Sequence, residues 1–251
     1  MFLQYYNMKS KVETVLILPD VHLTVEENKV YNLVKNFIKS RKWDEIVILG
    51  DFLDFESLNP FDANKALKME NRRFLKEIDV ANRELDFLQK YSNNIVYMEG
   101  NHERRAVWYV DKNPSMEEFI NVPKNLKLKE RKIKWIPYDN YSSYQKGHLT
   151  FIHGYWYNKY FAQTTLEKFG CNVVMGHTHR AQSAQMRMLK QKEYMAIGLG
   201  CLCSKDADFT RGPSSWINGF GVGYFSNGGN FNLYPINIIN NKFIFEGKEW
   251  K

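Results

Sequence analysis

Short runs of β-branched and other apolar residues recur through the first two thirds of the chain, and each ends in Pro or Gly beside polar residues. They are ETVLILP (13–19), DEIVILG (44–50), NIVYMEG (94–100), HLTFIHG (148–154) and NVVMGHTH (172–179). Their length and flanking residues predict buried strands whose carboxyl ends open into loops.

Helical patterns lie between these runs. Residues 26–40 and 160–169 predict two short helices, and a longer apolar stripe runs through residues 56–90. The stripe consists of Leu67, Phe74, Ile78, Ala81, Leu85 and Leu88. This spacing predicts a helical insertion that packs on the domain, which is favoured over the alternative of a moving lid. Strands that alternate with helices predict an α/β layered architecture.

The pattern changes after about residue 180, where KEYMAIGLG, INGFGVGYF and NFNLYPINII resemble strands and NGG at 227–229 marks a hairpin. These segments predict antiparallel sheet. With 251 residues, 44% of them apolar, we expect one domain spanning residues 1–251. Met8 would itself make a sensible start, so residues 1–7 are expected to be a dispensable extension.

Composition narrows the class of protein only a little. Lys and Arg exceed Asp and Glu by 35 to 28, which allows an anionic partner without requiring one. Cys171, Cys201 and Cys203 are too few and too irregularly spaced for a disulfide framework, so a reducing cytoplasmic setting is expected. No apolar run is long enough for a signal peptide or a membrane span, which predicts a soluble protein without a membrane partner.

Polar residues follow every predicted strand of the first two thirds. They are Asp20 and His22, Asp51 and Asp54, Asn101 and His102, His153, and His177 and His179. Functional groups collect at the carboxyl ends of strands in open α/β sheets. Five of the six histidines fall in this set, which predicts a metal site. Imidazole and carboxylate ligands without thiolates suit Mn, Fe, Zn or Mg, and a pair of such ions would polarise a phosphate and activate a water.

In this order and spacing, the motifs DVH, GDFLD, GNHE, HG and GHTH resemble the calcineurin-like metallophosphoesterase family. They extend from Asp20 to His179. The resemblance implies a four-layer α/β/β/α sandwich, with two mixed sheets flanked by helices and a two-metal centre at the sheet ends. It also implies a hydrolase that cleaves P–O bonds by means of a metal-activated hydroxide. Two divalent ions are expected, Mn before Fe, Zn, Ni or Mg.

Carried across motif by motif, the resemblance assigns a role to each site residue. Asp20, His22 and His179 would bind the first metal, Asp51 would bridge both metals, and Asn101, His153 and His177 would complete the second site. His102 would contact the phosphate or protonate the leaving oxygen, and Asp54 would orient His102. Gly100 is expected to permit the tight turn of GNHE, and Glu103 to favour the start of a helix.

Substrate contacts are less determined by the sequence. Arg104 and Arg105 would either grip a phosphate or form a solvated face. Tyr155, Trp156 or Tyr157 would either stack on bases or cover the core. Arg211, in the loop 204–216, is a further candidate for a phosphate contact. The lysine-rich segment 124–134 would follow a phosphate backbone or protect an edge strand.

Phe55 stands where the Ser/Thr protein phosphatases of the family carry an arginine that grips the phosphoryl group, so a protein phosphatase of that type is not expected. A phosphodiesterase or nuclease acting on DNA, RNA or nucleotides is the first interpretation. The alternatives are a phosphomonoesterase with the same metal centre and, behind it, an inactive protein that holds metal and binds a partner.

Overall fold

The computed structural model describes residues 11–24, 28–139, 141–187, 192–204 and 214–251. The proposed extension, residues 1–7, lies outside the described residues. The strands are β1 (Val12–Leu18), β2 (Glu45–Ile48), β3 (Ile95–Met98), β4 (Lys134–Ile136), β5 (Tyr144–Lys146), β6 (Leu149–Ile152), β7 (Asn172–Met175), β8 (Ala181–Arg187), β9 (Glu193–Leu199), β10 (Asn218–Ser226), β11 (Phe231–Ile238), β12 (Phe243–Phe245) and β13 (Lys248–Trp250). The helices are α1 (Lys29–Ile38), α2 (Ala66–Met69), α3 (Phe74–Gln89), α4 (Arg104–Lys112), α5 (Val122–Asn125) and α6 (Phe161–Phe169), with short 3-10 turns at Glu56–Leu58 and Pro114–Met116.

Two large mixed sheets organise these strands. The first sheet has the order β11-β10-β1-β2-β3-β4, with β1 to β4 parallel and β10 and β11 antiparallel. The second has the order β5-β6-β7-β9-β8, with β6, β7 and β9 parallel. The five strands predicted from the apolar runs are therefore β1, β2, β3, β6 and β7. The hairpin predicted at NGG joins β10 to β11.

Alternation along β1 shows how the layers pack. Val15 and Ile17 belong to a buried cluster shared with the second sheet, whereas Leu16 and Leu18 belong to the cluster that includes α1 and α3. On the outer side of the second sheet, α6 packs against Val173 and Ala196. The order is helix, sheet, sheet, helix, which confirms the four-layer α/β/β/α sandwich.

The insertion 56–90 folds as a 3-10 turn followed by α2 and α3. As predicted, α3 buries Ile78, Ala81, Leu85 and Leu88. Leu67 departs from the predicted stripe, because it lies in the separate four-residue helix α2 and is 87% exposed. The packed helix therefore begins at Phe74.

The lysine-rich segment 124–134 runs through α5 and the turns after it into β4, the outermost strand of its sheet. Lys134 lies on this strand with its ammonium group 4.7 Å from the centre of the Tyr144 ring. The three cysteines are free thiols. Among the described residues, no helix is both long and apolar enough to cross a bilayer.

Candidate metal centre

The loops that follow β1, β2, β3, β6 and β7 meet at one edge of the sandwich. Two backbone contacts fix them together: the amide of His177 lies 2.9 Å from each carboxylate oxygen of Asp20, and the amide of His102 donates to Asp51 Oδ1 at 2.8 Å. The first contact joins the two sheets. The second joins the loops of β2 and β3. His153, after β6, lies 3.4 Å from Asp51 Oδ2, so residues from five separate motifs face one another.

A first cluster consists of Asp20, His22, Asp51 and His179, all buried, with one potential ligand atom from each within 4.8 Å of the others. His22 Nε2 lies 3.1 Å from His179 Nε2. His179 Nε2 lies 3.3 Å from Asp20 Oδ1, and His22 Nε2 lies 3.7 Å from Asp51 Oδ2.

A second cluster, made of Asp51, His153 and His177, shares Asp51 with the first. His153 Nε2 is at its centre, 3.4 Å from Asp51 Oδ2, 3.1 Å from His177 Nδ1 and 3.0 Å from Asn101 Oδ1. The predicted ligands are thus grouped as two sets that have one carboxylate in common.

The donor atoms of these clusters fit divalent cations. His153 Nδ1 donates to the carbonyl of Leu49 at 2.9 Å, so in the neutral ring Nε2 carries a lone pair. That lone pair faces the amide oxygen of Asn101, which is also an acceptor. In the same way, the Nδ1 of His22 donates to Asp54 at 2.9 Å, which directs its Nε2 lone pair at the first cluster. The ligand atoms of each cluster lie close enough together to bind one ion, since they are all within 4.8 Å of one another.

The charges of the site favour a cation. Burial lowers the pKa of His153, but the Asp51 carboxylate and further contacts outweigh it and raise that pKa to about 9. His179 behaves alike, since burial is outweighed by Asp20 and its pKa is raised to about 9. By contrast, burial and the charge of His153 lower the pKa of His177 to about 3. Positive charge is therefore stabilised beside Asp20 and Asp51.

The backbone of the ligand loops is strained. Asp20, His22, Asp51, His177 and His179 all have left-handed φ angles, of 44°, 48°, 47°, 68° and 56°. Such angles are uncommon outside glycine and cost about 1 kcal/mol or more each. Five predicted ligands share this property, so the surrounding structure must hold each of them in place.

Two glycines make room for the ligand carboxylates. A Cβ on Gly100 would lie 2.1 Å from Asp51 Oδ1, and a Cβ on Gly176 would lie 2.2 Å from Asp20 Oδ2. Gly100 was expected to permit a tight turn, but its φ lies outside the left-handed region. Close approach to Asp51 is the physical reason for glycine at this position.

Glu103 has a role that the sequence reasoning missed. Helix α4 starts one residue later, and the Glu103 carboxylate makes no capping hydrogen bond to it. It accepts hydrogen bonds from the amides of Asp51 (3.0 Å), Leu53 (2.9 Å) and Gly100 (2.9 Å) and from the Tyr97 hydroxyl (2.9 Å). Burial and the Asp51 charge raise its pKa to about 7. Glu103 therefore ties together the loops that carry Asp51 and Asn101, and its place in the GNHE motif does not reveal this role, because Asp51 and Leu53 are far away in the chain.

His102 lies beside both clusters in a chain of contacts. Its Nδ1 is 2.7 Å from Asp54 Oδ1, and its Nε2 is 3.2 Å from Arg105 Nη2. Arg105 also donates to the Asp54 carbonyl at 2.7 Å. Burial opposes the ionisation of Asp54, but hydrogen bonds from His102 and His22 hold the pKa of Asp54 far below its usual range. Arg104 points elsewhere, with its Nη1 3.5 Å from the buried Glu99 carboxylate.

Phe55 faces the core. Its side chain is fully buried and stacks on Phe74 with ring centres 5.4 Å apart. The residue at the position that carries an arginine in the Ser/Thr protein phosphatases is thus part of the hydrophobic core here.

The predicted aromatic residues divide into two groups. Tyr155 stacks on Tyr138 at 5.5 Å and on Phe169 at 6.4 Å, and Trp156 packs edge-on to Phe169 at 6.1 Å. Together with Tyr138, Asp139 and Tyr141 they line an open cavity of about 440 Å³.

Tyr157 forms the second group with Trp216, which was not among the predicted residues. The Tyr157 ring lies 4.2 Å from the ring of His177, and the Trp216 ring lies 4.2 Å from the ring of His179. Arg211 lies outside the described residues.

The fold is thus a four-layer sandwich of the α/β class, with two buried clusters of acid and imidazole groups at its sheet ends that could hold metal ions. The family model for calcineurin-like phosphoesterases matches residues 13–181, and the chain belongs to that family. Members of this family act on phosphate esters.

Two curated relatives match almost the full length of the chain. The Gene 54 protein of Mycobacterium phage L5 is 24% identical over 257 residues, covering 94% of this chain and 98% of the phage protein. The Gene 54 protein of Mycobacterium phage D29 is 23% identical, again with 94% of this chain and 98% of the phage protein covered.

Solved structures of similar fold have low sequence identity. Vacuolar Protein Sorting 29 from Cryptosporidium parvum has a TM-score of 0.49 and 12% identity, with 95% of this chain and 94% of that chain covered. The Pseudomonas putida nuclease MPE has a TM-score of 0.38 and 12% identity, with 88% and 87% covered. With TM-scores below 0.5, neither bears on the activity of this chain.

Proposed function

We propose that this chain is a dinuclear-metal-dependent phosphodiesterase that hydrolyses P–O bonds in nucleic acid or nucleotides. The observation that carries the proposal is the pair of clusters that share Asp51, with His102 and Arg105 beside them. The buried Phe55 argues against a protein phosphatase that grips its substrate from that position.

Seven residues would hold the cations: Asp20, His22, Asp51 and His179 on one side, and Asp51, Asn101, His153 and His177 on the other. When bound, two divalent ions supply Lewis acidity, which polarises a phosphoryl oxygen and makes a water acidic near neutral pH. Manganese is the first candidate, because the carboxylate and amide oxygens of Asp20, Asp51 and Asn101 suit it.

The residues beside the clusters would bind and protonate the substrate. A phosphoryl oxygen is a stronger acceptor than a neutral imidazole, so the Nη2 of Arg105 can donate to substrate in place of His102. His102 then contacts the phosphate or delivers a proton from Nε2 to the leaving oxygen. The Asp54 carboxylate accepts a hydrogen bond from Nδ1–H of His102 and stabilises the charged form of the ring.

The substrate class is tested by comparing bis-p-nitrophenyl phosphate with p-nitrophenyl phosphate in excess Mn. We expect kcat/KM for the diester to exceed that for the monoester at least about tenfold, and Asp51→Asn to abolish both. Turnover of the monoester alone would establish a phosphomonoesterase. If wild type and His102→Ala hydrolysed neither compound, nor DNA, RNA or nucleotides, a binding protein that holds metal would replace the proposal.

The role of His102 is tested with leaving groups of different basicity. His102→Ala should slow hydrolysis of an alkyl diester such as a dinucleotide about a hundredfold or more, because an alkoxide needs a proton. Bis-p-nitrophenyl phosphate should be affected much less, since p-nitrophenolate leaves without protonation. Equal losses on both substrates would restrict His102 to binding the phosphate.

Arginine contacts are tested by the matched pair Arg105→Lys and Arg104→Lys. Lysine keeps the charge but loses the forked donor geometry. The Arg105 variant should raise KM or lower kcat about tenfold, whereas the Arg104 variant should have the smaller effect because Arg104 faces Glu99. A larger effect at Arg104 would reverse the assignment.

A further inference from the structure

Two aromatic rings lie against the two histidines of the GHTH loop. Tyr157 lies 4.2 Å from His177, and Trp216 lies 4.2 Å from His179, measured between ring centres. His177 belongs to one ligand cluster and His179 to the other. Each ring therefore borders one half of the candidate metal centre.

The position of Tyr157 differs from that of the aromatic residues just before it. Tyr155 and Trp156 pack against the buried cluster under α6. Tyr157 is 64% exposed, although it touches the buried ring of His177. Tyr155 and Trp156 thus contribute to the packing under α6, whereas the Tyr157 ring lies between solvent and the His177 side chain.

Trp216 reaches the site from the other direction. It precedes β10, and the amide of the next residue, Ile217, donates to the carbonyl of His179 at 2.8 Å. This backbone contact ties the segment of Trp216 to the ligand loop. The two rings are therefore fixed relative to the two histidines by different parts of the chain.

We infer that Tyr157 and Trp216 form an aromatic rim that binds the nucleobases on the two sides of the scissile phosphate. The inference rests on the proposed phosphodiesterase function and names its substrate as a diester between nucleosides. Planar bases of any sequence stack on aromatic side chains, so the rim would select for a base without reading which base it is. A base lost from one side should lower kcat/KM about tenfold to a hundredfold.

The test compares the dinucleotide TpT with two analogues in which one thymidine is replaced by an abasic tetrahydrofuran unit, on the 5′ or the 3′ side. Wild type in excess Mn should prefer TpT over each analogue at least about tenfold. Tyr157→Ala should lose the preference on one side, and Trp216→Ala should lose it on the other. Tyr157→Phe should keep it, because stacking uses the ring and not the hydroxyl.

Tyr234→Ala is the matched control, since Tyr234 is a half-exposed aromatic residue on β11. It should leave the preference as in wild type. Metal content is measured for every variant. If Tyr157→Ala showed the wild-type preference whenever its metal content equalled that of wild type, the ring would serve merely to shield His177 and the rim would be refuted.

Binding provides a readout that does not depend on turnover. In calorimetry, wild type should bind thymidine 5′-phosphate at least about tenfold more tightly than 2-deoxyribose 5-phosphate. Tyr157→Ala or Trp216→Ala should reduce this ratio of the two affinities. Equal affinities in wild type would overturn the rim. If only monoesters were hydrolysed but the ratio held, the phosphodiesterase proposal would fail and an aromatic rim for a single base would stand.

Discussion

At the residue scale, the buried carboxylate of Glu103 holds the loops of the site together by hydrogen bonds. Four donors point at its carboxylate. Glu103→Gln replaces one acceptor oxygen with an NH₂ group that faces other donors, and an unsatisfied buried polar group costs about 1–3 kcal/mol. We expect a loss of about 2 kcal/mol or more in the free energy of unfolding, measured by urea denaturation with EDTA present.

The matched control for Glu103 is Glu118→Gln, at an exposed position after α4. It should change the free energy of unfolding by less than about 0.5 kcal/mol. If the two variants were equally stable, the hydrogen bonds to Glu103 would contribute little, and the loops of Asp51 and Asn101 would be held by other contacts.

Gly176 offers a second test at this scale. A Cβ there would lie 2.2 Å from Asp20 Oδ2, whereas a Cβ on Gly170 would meet nothing within 4 Å. Gly176→Ala should displace Asp20 and lower bound metal, measured by elemental analysis after dialysis against Mn. Gly170→Ala should keep its metal and lose only about 1–2 kcal/mol of stability, because the φ of Gly170 is +60°. Full metal content in Gly176→Ala would show that the loop of Asp20 can shift without loss of bound metal.

The motif residues could be placed from the sequence because each one lies in the loop that directly follows an apolar strand. Glu103, Arg105 and Trp216 act through partners far away in the chain. Arg105 touches Asp54, and Trp216 touches His179. No local pattern encodes such contacts, so whether Arg104 or Arg105 turns towards His102 was decided only by the packing of α4.

At the element scale, helix α3 is linked to the 3-10 turn before it by Glu77. Its carboxylate is buried and accepts hydrogen bonds from the amide and hydroxyl of Ser57. Burial raises the pKa of Glu77 from 4.5 to about 7. Between pH 4.5 and pH 7 the folded protein keeps a proton on Glu77 that the unfolded chain has lost. The stabilisation of the folded state by this proton is therefore full below pH 4.5 and disappears as the pH rises through 7.

Glu77→Gln should therefore flatten the pH dependence of stability. Without metal, wild type is expected to lose up to about 3 kcal/mol of unfolding free energy through this group between pH 4.5 and pH 8. A glutamine side chain cannot ionise, so the variant should lose less over the same range, measured by urea denaturation. Glu70→Gln, at an exposed position after α2, should behave as wild type does. Parallel pH profiles for wild type and Glu77→Gln would contradict this account.

The elements themselves were largely predictable, with one instructive exception. Strands β2, β3, β6 and β7 fall within the apolar runs, and β1 overlaps its run from residue 13 to its end. Buried strands in an α/β sandwich need both faces apolar, so such runs predict them. Leu67 satisfied the helical spacing but lies in α2, which buries none of its residues. Periodicity indicates which residues could share a face, but it does not show where one helix ends and the next begins.

At the scale of the whole molecule, the candidate metal centre joins the two sheets. Asp20, Asp51 and Asn101 follow strands of the first sheet, and His153, His177 and His179 follow strands of the second. A cation held by both groups binds the folded chain, and the unfolded chain does not present such a site. Metal should therefore stabilise the molecule as a unit.

Mn at about a hundredfold above its dissociation constant should add about 2.7 kcal/mol for each occupied site, and each site should raise the Tm of a chain this size by about 5–10 °C. Scanning calorimetry in EDTA and in Mn measures the shift. Asp51→Asn should lose most of it, because Asp51 belongs to both clusters. His148→Ala removes an exposed histidine outside the motifs and should retain the full shift. An equal shift in Asp51→Asn, or none in wild type, would mean that the two sheets are not joined through a metal at this edge.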